Sequence, residues 1–181
     1  MTTRIFNFWF ICLLMPFVGV TQVSAQRTVQ AKFGDTLTTN WIGIKITLSD
    51  SVLVQIDGPS KSWFALGLNT RRMQAGVDVL MVPAWKEAFV NINPYDAVLT
   101  GYAPPKPDKL EHWVIQAEEM KNGRRIFSMA RALATGDAED FDFTQLATSG
   151  GVLDVIWAMG SENENNSEYH ENKRGKRILQ F

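Results

Sequence analysis

Few side chains in this sequence are equipped for chemistry beyond packing. There are two histidines, His112 and His170, and one cysteine, Cys12. Ser/His/Asp catalysis would have to recruit one of those histidines, and no Gly-x-Ser-x-Gly turn accompanies them. Glu162, Glu164, Glu168 and Glu171 offer carboxylates without the spaced Asp/Asn loop and turn glycine that wrap calcium. The acids of Glu118-Glu119 and of Asp137, Glu139, Asp140 and Asp142 read as solvated faces and turns, the ordinary place for carboxylates. Met73 is different, because it sits in the polar stretch NTRRMQAG between two apolar runs, outside any period-two pattern. Taken alone it reads as a flexible cap over an open end of the fold. His170, in the closing SEYHENKRGKRILQF, taken alone reads as a polar turn residue. As a pair, thioether and imidazole are also acceptable Cu(I) ligands.

These residues are held by a chain that reads as strand after strand. Ile42, Ile44, Ile46 and Leu48 alternate at period two, and Val52 to Ile56 repeats the pattern before an Asp57-Gly58-Pro59 turn. Further apolar runs lie at Ser62 to Leu68, Val77 to Val82, Ala88 to Ile92, His112 to Ala117, Ile126 to Arg131, Val152 to Met159 and Arg177 to Phe181. Turn-forming clusters separate them at Asn91 to Tyr95, Gly101 to Asp108, Lys121 to Gly123 and Gly160 to Asn166. One turn of helix is expected near Asp140 to Ala147. The pattern predicts an all-β, antiparallel, immunoglobulin-like sandwich of about ten strands. Pro104-Pro105-Lys106-Pro107 reads as a stiff loop, since strand patterns resume at once.

The 181 residues are 45% hydrophobic and 20% charged, which suits one globular domain. The first 25 residues read as a cleaved signal peptide: Arg4, an apolar run from Ile5 to about Val20, then Val23-Ser24-Ala25 at the cut. That run is short for a bilayer span and is broken by Asn7 and Pro16. Residues 26–181 then form the single domain, with no direct membrane span after cleavage. Export would remove Cys12, leaving a mature chain without thiols. That excludes disulfides, iron–sulfur clusters, cysteine zinc sites, covalently attached c-type haem and blue copper. The mature chain would carry 17 basic and 19 acidic residues, since Arg4 is lost from the total of 18. The basic residues form no stripe apart from Lys173, Arg174, Lys176 and Arg177, so no nucleic-acid partner is expected.

Five short elements, in order, resemble a known family. SWFALGLN, then Met73, then AGVDVLMV is similar to the motif of DOMON domains: an aromatic–apolar strand, a turn residue, a methionine and G-x-D-V. Arg131 to Asp137 resembles that family's Arg-x-Leu-x-Thr-Gly-Asp stretch, and Val155 to Gly160 its strand ending in Trp-Ala-x-Gly. Tyr169-His170 with Arg174-Gly175 resembles its Tyr-His-x-x-Arg-Gly ending, with three residues between His170 and Arg174 in place of two. The resemblance runs from about Thr38 to Phe181.

It implies a β-sandwich of an extracytoplasmic protein, periplasmic or secreted. The branch similar to the cytochrome domain of cellobiose dehydrogenase, and to proteins associated with cytochrome b561, binds haem b noncovalently. Its axial ligands are a methionine and a histidine, which fall here on Met73 and His170. The implied function is single-electron transfer with a redox partner, a dehydrogenase or a membrane cytochrome b561, and no catalysis of its own. Haem would need an apolar slot, expected between the sheets at one end of the sandwich among the loops. Trp63, Phe64, Leu68, Met81, Trp157 and Met159 are the expected walls. Arg71, Arg72, Lys173 and Arg174 are the expected partners for the propionates. The alternative is a haem-free module of the same fold that recognises carbohydrate through Trp85, Tyr95 and Tyr102.

Overall fold

The computed structural model describes residues 25–85, 93–161, 170 and 172–181. The signal peptide with Cys12, the run at 88–92, the glutamates at 162, 164, 168 and 171, and Tyr169 therefore lie outside the described residues, apart from Ala25 at the expected cut. In chain order the elements are β1 (Arg27–Gly34), β2 (Trp41–Leu48), β3 (Ser51–Pro59), β4 (Phe64–Leu68), β5 (Asp78–Val82), β6 (Tyr95–Val98), β7 (Lys106–Pro107), β8 (Val114–Lys121), β9 (Arg124–Ala132), α1 (Thr144–Ser149), β10 (Val152–Met159) and β11 (Arg174–Gln180). They form two antiparallel sheets, a five-stranded one in the order β1-β2-β3-β9-β8 and a six-stranded one in the order β11-β10-β4-β5-β6-β7.

Local chemistry fixes the register. Between β8 and β9, Asn122 and Gly123 both take positive φ (51° and 73°), the requirement of a two-residue turn whose twist matches the strands. The period-two pattern of β2 and β3 pairs Ile44 with Ile56 and Ile46 with Val54, which sends one apolar stripe inward. From the other sheet, Phe64, Leu66 and Leu68 of β4 and Leu153 and Val155 of β10 meet that stripe. Leu146 and Ala147 of α1 join the same core, and the helix falls at 144–149, slightly later than the sequence suggests.

β4 and β5 depart from the pattern of a half-solvated sheet. Every residue of both is buried. A sandwich sheet normally presents one face to water, so the outer face of this one is covered. A second apolar cluster lies there, built from Trp63, Ala65, Val77, Val79, Met81, Ala84, Ala97 and Leu99. β6 and β7 form from stretches whose Asn, Pro and Gly content reads as turns, and β1, not among the expected strands, alternates with Val29, Ala31 and Phe33 facing the core. β1 is held by a full register to β2, from Arg27 opposite Leu48 to Gly34 opposite Trp41.

Candidate functional site

Strand alternation builds the floor of a cavity on the outer face. β4 turns Ala65 and Gly67 outward, β5 Val79 and Met81, and β10 Ile156 and Ala158, all of which line it. Two of these six positions are alanine and one glycine, so the sheet offers a shallow, flat apolar floor. A Cβ on Gly67 would lie 2.8 Å from Cγ1 of Ile156, closer than packing allows. Loops raise the walls: Arg71, Arg72 and Met73 from the β4–β5 connection, and Tyr102, Pro104 and Pro105 from the segment before β7. His170 enters just before β11, whose Arg174, Gly175 and Lys176 also face the space. The cavity measures about 710 Å³, within the range of about 300–1,000 Å³ usual for cofactor and ligand sites.

Each ligand candidate is positioned by backbone chemistry. Asn69 ends β4 in a left-handed conformation (φ 52°), which asparagine tolerates better than most residues. The loop that follows is tied down at both ends. Thr70 N donates to Asp154 O at 3.1 Å, and Gly76 N donates to Leu99 O at 2.9 Å. The Arg71 guanidinium pairs with the Asp154 carboxylate at 2.8 Å, and Thr70 Oγ1 donates to Arg72 O at 2.8 Å. Met73, half-buried, packs on the outer cluster from this tethered loop. On the other side, Lys173 N donates to His170 O and Met159 N donates to Lys173 O, each at 2.9 Å. The His170 ring stands edge-on to Trp63, with centroids 6.5 Å apart and planes at 61°. Trp63 itself lies on Gly160, where any side chain would collide with its indole. Its Nε1 is buried and has no acceptor among the described residues.

The structure brings together most of the residues singled out from sequence. Met73, His170, Trp63, Met81, Trp157, Arg72 and Arg174 all line one cavity. Phe64, Met159 and Leu68 do not. Phe64 and Met159 are register partners whose side chains point between the sheets, and a Cβ on Gly58 of β3 would lie 2.5 Å from the Phe64 ring. Leu68 shares their parity and the same core. The slot expected between the sheets is thus filled by protein, and the open space is on the opposite face. Trp157 has the inward parity too; its ring stacks on Phe33 at 6.3 Å, and it contributes to the cavity from the strand edge. Lys173 is not a wall residue, and its Nζ donates to Ser161 Oγ at 3.1 Å.

Sequence reasoning missed the small residues Ala65, Gly67 and Ala158 and the two prolines, and named Tyr102 only for the carbohydrate alternative. The signal was available in SWFALGL, which does not alternate. An unbroken apolar run marks a strand covered on both faces. It also missed Asp140, expected to be solvated. Asp140, Asp78 and Asp96 are buried around Arg131 behind β5 and β6. Burial, then the neighbouring Asp78 and Asp140 carboxylates, push Asp96 up to about 9. Burial also holds Asp78 above the usual carboxylate range, against the opposing pull of Arg131. The G-x-D-V and Arg-x-Leu-x-Thr-Gly-Asp elements therefore meet: Asp78 of one accepts a hydrogen bond from Arg131 of the other at 2.8 Å.

Comparison with known proteins bears on the fold. No family model matches the sequence, and no curated protein does. The structure is similar to the cytochrome domain of Myriococcum thermophilum cellobiose dehydrogenase, with a TM-score of 0.55 and 12% identity over 83% of this chain and 81% of that one. It is also similar to the cytochrome b domain of pyranose dehydrogenase from Coprinopsis cinerea, with a TM-score of 0.53 and 16% identity over 82% and 80%. The antiparallel β-sandwich expected from the sequence is thus the fold observed, and it is shared with these cytochrome domains.

Proposed function

We propose that the chain is an exported b-type cytochrome domain that binds haem noncovalently on the outer face of its six-stranded sheet. The observation carrying this reading is that Met73 and His170, from loops remote in sequence, line one apolar cavity. The cavity also fits the group in other respects. Its floor is low over β4, where Ala65 and Gly67 project, its walls are aromatic and aliphatic, and Arg72, Arg174 and Lys176 in the lining could pair with propionates.

Met73 Sδ and a ring nitrogen of His170 would hold the iron, which supplies single-electron chemistry at a potential raised by the thioether. The chain's own residues do the rest. The tethered 69–76 loop restricts Met73, and the Trp63 ring restricts His170. If both residues held the iron, it would carry electrons and not bind oxygen or peroxide. Val79, Met81, Leu99 and Ile156 would help keep water out of the cavity. Catalysis then belongs to the redox partner, a dehydrogenase or a membrane cytochrome b561. No helix among the described residues is long and apolar enough to cross a membrane.

The test is to produce the protein with haem available and record its spectrum, oxidised and then reduced. One haem per chain with sharp six-coordinate low-spin bands is expected. A second reading, carbohydrate recognition by a haem-free protein, is favoured by Tyr102, which is 90% exposed at the cavity rim. Colourless protein that binds glycans and loses binding on Tyr102→Ala would replace the haem reading with that one.

A further inference from the structure

Behind β5 and β6 the interior carries acid where a sandwich normally carries apolar side chains. Asp78, Asp96 and Asp140 have side-chain exposures of 3%, 2% and 2%. One fully buried guanidinium serves all three. Arg131 Nη2 lies 2.8 Å from Asp78 Oδ2, and Nη1 lies 3.1 Å from Asp140 Oδ1 and 3.6 Å from Asp96 Oδ2. Three buried carboxyl groups thus share a single guanidinium. Buried charges normally come paired, because desolvation costs several kcal/mol per ion.

Within the described residues, several atoms of the cluster lack a hydrogen bond, Asp78 Oδ1 and Arg131 Nε among them, and three of them converge. Asp140 Oδ2 and His112 Nδ1 are 2.9 Å apart, yet they are not aligned for a hydrogen bond, and neither makes one elsewhere among the described residues. Asp96 Oδ2 accepts none either. Donor atoms of Asp96, His112 and Asp140 all lie within 4.8 Å of one another. Unpaired atoms that converge in this way can share a third atom between them. Two carboxylate oxygens and an imidazole nitrogen are a ligand set for a divalent ion.

We propose that Asp96, His112 and Asp140 bind one divalent transition-metal ion, with zinc the first choice because imidazole and carboxylate both suit it and it ranks high in affinity. The ion would bring positive charge to a place where three carboxyl groups share one guanidinium. Arg131 orients the site from behind by holding the other oxygen of Asp140. His112, with a quarter of its side chain exposed, marks the way in from solvent. The ion ties β6, the segment before β8 and the segment between β9 and α1 into one unit beneath the outer-face cavity. This site does not depend on the haem reading, and its test has its own readout.

Purified protein is stripped with chelator, checked by circular dichroism, and titrated calorimetrically with zinc sulfate. One zinc per chain and a raised melting temperature are expected. His112→Gln, at a partly exposed position, weakens zinc binding by about tenfold or more, and Asp140→Asn does the same. No uptake by the stripped native protein would show that His112 and Asp140 form only an ion pair, and would overturn the proposal. Uptake unchanged in both variants would overturn it equally, as would a preference for calcium over zinc, which would exclude the imidazole from the ligand set.

Discussion

The two faces of the six-stranded sheet are made by the same strands and follow opposite rules. Outward, β4, β5 and β10 present Ala65, Gly67, Val79, Met81, Ile156 and Ala158, with the charged groups kept to the rim. Inward and toward the far edge, β5 and β6 present Asp78 and Asp96 to a buried guanidinium. The outer face is defined by what its side chains leave empty. The inner cluster is defined by charge that must be satisfied. A single substitution is therefore expected to act mainly on what the cavity can admit when it faces outward, and mainly on stability when it faces inward.

Arg131→Met tests the inner side most severely. It strands three carboxylates and removes the cation that lies 4.5 Å from the Trp113 ring centroid. A loss of about 3–5 kcal/mol is expected, measured by chemical denaturation; a loss below about 1 kcal/mol would mean the cluster is not an electrostatic unit. Gly67→Ala acts on the outer floor, where the new methyl displaces Ile156. It should cost about 1–3 kcal/mol and weaken haem uptake in a titration. Unchanged uptake would move the ring away from β4. Ala65→Leu should leave stability within about 1 kcal/mol while blocking uptake, the cleanest separation of the two faces. Arg71→Ala breaks an ion pair at the rim whose arginine is 59% exposed, so the expected stability change is about 0–1 kcal/mol. A larger loss would show that this pair, rather than the Thr70 and Gly76 hydrogen bonds, holds the Met73 loop.

Strand content was legible because period-two alternation survives wherever one face is buried. β2 and β3 stand out for that reason, β10 stands out as a nearly unbroken apolar run, and the Asn122-Gly123 turn is explicit. β6 and β7 were hidden because their pairings, β6 with β5 and β7 with β6, are tertiary. Tyr95-Asp96-Ala97-Val98 has turn residues before it and an acid within it. Site residues read from motifs, Met73 and His170 among them, reach a common cavity, whereas those chosen for apolarity near a motif divide by parity. Phe64 and Met159 fall on the wrong side of the sheet from their neighbours Ala65 and Ala158. Proximity along a strand says little about which face a side chain takes unless the alternation is followed residue by residue. Asp140 was misread for a different reason: burial of a carboxylate depends on a remote guanidinium, and nothing local announces it.

The visible spectrum of the native protein beside Met73→Ala and His170→Ala, each oxidised and reduced, tests the central claim most directly. The account predicts low-spin six-coordinate bands in the native protein and their conversion to five-coordinate or haem-free spectra in each variant, with the fold intact. Native-like low-spin spectra in either variant would mean that the iron is held by other residues.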